Sequence, residues 1–196
     1  MRLPYTPNPP VPSTPDEAGI ISRIQARRAP RPLQPLDLTL LHAPAVADGW
    51  NAFLGAIRTR TSLPAAAREL AICRVAVCNA AWYEWGHHAP LALAAGVSEA
   101  ALRLVRRAEL AGVDAAEWRE AGLGEAQWAV LRYADEMTRK VAVDEEVFAR
   151  LRAAWGEREV VEITATVAAY NCVSRFLVAL DVGERNGTGP DVAGGH

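Results

Sequence analysis

The dominant pattern along the chain is unbroken apolarity at helical length rather than alternation. Between residues 64 and 81 the charged side chains are Arg68, Glu69 and Arg74, so the spacing predicts a helix buried around nearly its whole circumference, in a core or a subunit interface. A second stretch of this kind covers residues 157–181, with Val160, Ile163, Val167, Phe176 and Leu180 along it. Around these two, the remainder reads as amphipathic helices with recognisable ends. Thr14-Pro15-Asp16-Glu17 is an N-cap, a first-turn proline and a capping-box acid, starting a helix that runs to about residue 28. Residues 36–41 form a short apolar turn, and 45–58 a helix with Val46, Trp50, Phe53, Leu54 and Ile57 on one face. Ser98 caps a helix to about residue 108, and 111–123 is a short helix or loop carrying Trp118. Residues 124–141 turn Trp128, Leu131 and Met137 inward and Asp135 and Glu136 outward, and Asp144 caps a further helix ended by Gly156. No strand-like alternation of useful length, no internal repeat and no Gly-rich phosphate loop occurs. The expected fold is all-α, with seven to nine helices in one domain over 14–182.

Outside that domain the composition changes. Residues 1–13 hold five prolines, Pro4, Pro7, Pro9, Pro10 and Pro12, and predict an extended arm that is mobile or wraps a neighbouring subunit. Residues 183–196 are glycine-rich and are expected to fray. The formal net charge of -2, with signs interspersed, gives no electrostatic case for nucleic acid or an anionic membrane surface. Cys73, Cys78 and Cys172 are odd in number, sit in apolar runs and lack C-x-x-C or zinc spacing, so inert thiols in a reducing cytoplasm are expected. With no apolar leader at the start and no span free of polar residues, the expectation is a soluble cytoplasmic protein.

Candidate chemistry lies in the apolar region itself. Glu69 is a carboxylate in a helix with almost no exposed face, and burying one is costly unless it is paired, hydrogen-bonded or protonated. It reads either as a working group or as an ion-pair partner for an arginine, such as Arg74 of another subunit or Arg175. In the following Trp82-Tyr83-Glu84-Trp85-Gly86-His87-His88 stretch, Glu84 and His88 are i and i+4 and share a helical face. A carboxylate beside an imidazole is the minimum equipment for moving protons at neutral pH. Pro90 removes the hydrogen bond to the Gly86 carbonyl, which predicts a kink or a new helix start beside the histidines. Tyr83, Trp85 and His87 are candidate pocket walls, and Asn171, which shares a face with Arg175, is a candidate for orienting a substrate carboxylate. His42 is a candidate rim residue, and a metal site from Glu84, His88 and His42 is a weaker alternative.

The run Arg68-Glu69-Leu70-Ala71-Ile72, then Tyr83-Glu84-Trp85-x-x-His88, then Ala95-Gly96-Val97-Ser98, resembles the carboxymuconolactone decarboxylase family, whose superfamily includes alkyl hydroperoxidase D. The resemblance is specific over residues 42–110. It implies an all-helical subunit forming a homo-oligomer, commonly a trimer or hexamer, acting on a small molecule. In the peroxidase branch the motif is a glutamate, then Cys-x-x-Cys, then a histidine four residues after the second cysteine. Glu69 and His88 match the glutamate and histidine, whereas the two cysteines fall on Ala81 and Glu84. Dithiol chemistry needs an attacking thiolate and a resolving thiol, so the resemblance points instead to a cofactor-free acid/base enzyme using Glu69, Glu84 and His88, with no metal. Decarboxylation or related proton transfer on a lactone or unsaturated acid fits that set. An antioxidant peroxidase and a non-catalytic oligomeric binding protein are the competing readings.

Overall fold

The computed structural model describes residues 1–191, and these contain ten helices and no strand. The tenth comes from the turn over residues 36–41, which is a short helix of its own. The described residues separate into two compact units, residues 1–61 with 179–184, and residues 62–178 with 185–191.

The first unit holds α1 (Pro15–Arg28), α2 (Pro35–Leu40) and α3 (Pro44–Thr59). The start of α1 follows its sequence signals: the Thr14 hydroxyl accepts from the Glu17 amide at 3.2 Å, and the Glu17 carboxylate reaches back to the Ser13 amide. The face of α3 differs from expectation. Ala47, Leu54 and Ile57 are buried, while Val46 and Phe53 are exposed. The Pro-rich arm has no regular structure, yet it is tied to its own chain. The Arg2 amide donates to the Leu180 carbonyl, the Thr6 hydroxyl to Leu38, the Gly183 amide to the Tyr5 hydroxyl, and the terminal ammonium pairs with Asp181 and Glu184.

The second unit is built on α4 (Ala65–Cys78), which packs against both α5 (Trp82–Ala94) and α8 (Glu125–Lys140). Nine of its residues are buried, including all three of Leu70, Ile72 and Val75. Ala80, in a left-handed conformation, closes the turn from α4 to α5, and the Ala81 amide bonds the Ala76 carbonyl at 2.8 Å. The two helices therefore run antiparallel. Pro90 is accommodated inside α5, which continues as one helix rather than restarting. At its end Gly96 takes a positive φ, and the Val97 amide returns to the Ala92 carbonyl, the wrap-around bond that such a residue permits. Next come α6 (Glu99–Val105), α7 (Ala115–Glu120), α9 (Glu145–Ala154) and α10 (Glu157–Leu180). Leu70, Cys73, Trp85, Val105, Trp118, Trp128 and Leu131 are members of one continuous apolar core, with Trp118 and Trp128 stacked at 5.9 Å.

Two acids expected to face outward do not. Asp135 and Glu136 on α8 are each 6% exposed. Asp135 accepts from the fully buried Arg74 guanidinium at 2.6 and 2.9 Å, and from Arg139 at 2.8 Å. Glu136 accepts from Lys140 and from the backbone amide of Asp144, so it ties α8 to the start of α9. Helix α10 has the length and hydropathy of a membrane span, although Thr164, Thr166, Asn171, Ser174 and Arg175 interrupt its apolar run. Within this unit, however, its inner face carries Ile163, Thr166, Val167, Tyr170, Val173, Ser174 and Leu177 into the interior. The described part of the C-terminal segment is held rather than frayed. The Trp85 indole donates to the Pro190 carbonyl at 3.1 Å, and Arg106 pairs with Asp191; residues 192–196 lie outside the described residues.

Candidate active site

Glu69 on α4 and His88 on α5 lie on either side of the turn at Ala80, and antiparallel packing brings them within reach of each other. The Glu69 Oε2 to His88 Nδ1 distance is 2.6 Å, and both side chains are buried. The other Glu69 oxygen accepts from Arg68 Nε at 3.3 Å. Neither arginine considered from sequence is its partner. Arg74 spends its donors on Asp135 and on the carbonyls of Val105, Arg107 and Ala108, and Arg175 bonds Asn171. A carboxylate accepting from Nδ1 fixes the imidazole tautomer. The imidazole is also positioned from α10, where Tyr170 meets it edge-on with ring centroids 5.0 Å apart.

Glu84, one turn before His88, is 2% exposed and is held by Ser174, whose hydroxyl lies 3.0 and 3.1 Å from the two carboxyl oxygens. Burial raises its pKa well above the ordinary carboxyl range, and the Ser174 hydrogen bond opposes this only in part. Cys73, one turn after Glu69, links the two acids in space: burial first, then the nearby charges of Glu69 and Glu84, raise its thiol well above its usual value.

The remaining candidates have different surroundings. Trp85 is in the apolar core, with its indole nitrogen engaged by Pro190. His87 is exposed; its Nδ1 lies 2.7 Å from the Tyr83 carbonyl of its own helix, and its ring is tilted over Tyr83 at 4.3 Å. Asn171 is a structural clasp. Its carbonyl accepts from Asn79 and Arg175, and its amide donates to Thr138 and Val167, so both of its polar ends are used in joining α4, α8 and α10. His42 belongs to the first unit, where its Nε2 lies 2.7 Å from the Pro4 carbonyl. Among the described residues no cluster of three or more His, Cys, Asp and Glu has the arrangement of a metal site. Ser174 was not singled out from sequence, although a serine one turn after Tyr170 on an otherwise apolar face was the available signal.

This geometry can be set beside known proteins. Residues 44–136 match the model of the carboxymuconolactone decarboxylase family. No curated protein sequence matches significantly. Among solved structures, the alkylhydroperoxidase AhpD core of an uncharacterized peroxidase-related protein from Ralstonia eutropha JMP134 has a TM-score of 0.73 at 19% identity, covering 92% of this chain and 90% of its own. An uncharacterized peroxidase-related protein from Silicibacter sp. TM1040 gives 0.70 at 17% identity, with 94% and 95% covered. A variant of the debrominase Bmp8, in complex with 2,3,4-tribromopyrrole, gives 0.69 at 19% identity, with 93% and 91% covered. At these identities the structural likeness establishes the AhpD-like fold.

Proposed function

Starting from residues 44–136, which match the model of the carboxymuconolactone decarboxylase family, we propose that this chain is a cofactor-free acid/base enzyme acting on a small lactone or unsaturated carboxylic acid. The observation that carries this reading is the buried 2.6 Å contact between Glu69 and His88, with Glu84, whose pKa burial raises, one turn away. Buried titratable groups whose environments separate their protonation states are the usual basis for acid/base assignment. In the decarboxylation this supports, the carbon–carbon bond to the substrate carboxylate breaks and carbon dioxide leaves. The electron pair stays on the conjugated fragment as a dienolate, and one proton is delivered to carbon. His88 delivers that proton from Nε2 while Glu69 stabilises the imidazolium form. Glu84, whose burial favours the protonated form, donates a hydrogen bond to the developing enolate oxygen.

The thiol reading is disfavoured by the cysteines themselves. Burial, with a lesser contribution from Asp135, pushes Cys78 up to about 11, and Cys73 is raised well above its usual value. Neither forms an appreciable thiolate at neutral pH. The test is carbon dioxide release from a panel of γ-carboxylated unsaturated lactones, beside hydroperoxide consumption supported by a dithiol. Decarboxylation that falls in Glu69→Gln and His88→Asn is expected. Peroxide turnover that needs Cys78, with no decarboxylation, would replace the proposal.

A further inference from the structure

Two residues of α10 reach the acid/base cluster, and α10 lies outside residues 44–136, the segment that matches the family model. Tyr170 packs edge-on against the His88 ring. One turn further along the helix, Ser174 is fully buried, and its hydroxyl lies between the two carboxyl oxygens of Glu84 at 3.0 and 3.1 Å. Among the described residues it is the hydrogen-bond partner of the Glu84 side chain, and no arginine or lysine pairs with that acid. The titratable groups on the helices packed around Glu84 are Glu69 and Cys73 on α4, His88 on α5 and Tyr170 on α10. A carboxyl group in an apolar interior thus depends on one serine.

That dependence has a direction. A hydroxyl carries one proton, so Ser174 donates to one carboxyl oxygen at a time, which makes that oxygen the carbonyl and leaves the other to bear the acid's own proton. The same hydrogen bond offsets part of the cost of ionising a carboxyl group away from water. Resting on the acid/base reading above, we propose that Ser174 is a positioning residue of the site. It holds one oxygen of Glu84 to α10, leaves the other to present its O–H to the reacting molecule, and lets the acid give up and regain its proton without leaving the interior.

The test needs no substrate. The full chain is made with carboxyl-labelled glutamate and followed by NMR as pH is raised, with Glu84→Gln identifying the Glu84 signal. In the native protein Glu84 is expected to titrate above the ordinary carboxyl range. Ser174→Ala should raise its midpoint by about one to two pH units, as loss of one hydrogen bond to a charged group predicts. Ser174→Cys, whose thiol is a weaker donor, should give a smaller rise, and it carries the test if the alanine variant does not fold. A midpoint that is the same in all three proteins, or that falls when the hydroxyl is removed, overturns the proposal, as does a Glu84 that never ionises in the native fold. A rise in midpoint without carbon dioxide release would remove the decarboxylase reading and leave the hold of Ser174 on Glu84 in place.

Discussion

At the scale of single residues, the proposed chemistry depends on three buried side chains, Glu69, Glu84 and His88. Glu69→Gln keeps the shape of the Nδ1 contact but removes the charge that stabilises an imidazolium, and His88→Asn removes the proton carrier. Each is expected to lower turnover about 10²–10⁴-fold, measured as kcat on a substrate identified by the carbon dioxide assay. Glu84 makes a separate prediction through pH. Its pKa is raised in the folded protein, so the folded state holds this proton over a range where the unfolded chain has already lost it. The stability it contributes is whole below the unfolded carboxyl pKa and is lost as pH rises toward the folded value. Glu84→Gln stays neutral and can still accept from Ser174. Its Tm should therefore fall less than the native Tm between mildly acidic and mildly alkaline pH, as scanning calorimetry would record. Equal slopes would place Glu84 in water. Glu69, Glu84 and His88 are legible as a group because each is polar inside an apolar run. Which pairs touch is not legible: i,i+4 spacing suggests Glu84 with His88, whereas His88 Nδ1 meets Glu69, reached only because α4 folds back on α5.

At the scale of elements, helix ends are readable wherever a local signal exists, as at Thr14 and Ser98, whose hydroxyls cap as the sequence implies. Facing is less readable, because it depends on neighbours distant in sequence. Asp135 looks solvated on its own helix, yet Arg74 arrives from α4 and makes burial tolerable. The cost of that arrangement is testable. Arg74→Met leaves the Asp135 carboxylate buried, with Arg139 as its remaining cation, and should destabilise the fold by about 3–5 kcal/mol in urea unfolding. Arg74→Met with Asp135→Leu should recover much of that loss. Pro90 shows the same dependence on context in α5. The missing hydrogen bond at Gly86 is absorbed within a helix packed against α4, so the proline does not end the helix.

At the scale of the whole molecule, the all-helical class follows from apolar periods that fit only helices, and the AhpD-like fold agrees with it. The division into two units is not visible in the sequence, since no composition shift marks the break after Thr61. The family resemblance carries the expectation of a trimer or hexamer, to be read from the native mass by light scattering; a monomer at assay concentration would rule out any role for subunit contacts. The decisive question is whether protons or sulfur do the chemistry, and it is answered by running the reaction in deuterium oxide with protein carrying Cys73→Ala, Cys78→Ala and Cys172→Ser. Carbon dioxide release with one deuterium placed on product carbon is expected, abolished by adding His88→Asn. Turnover that disappears with the cysteines, or continues unchanged without His88, would contradict the acid/base mechanism.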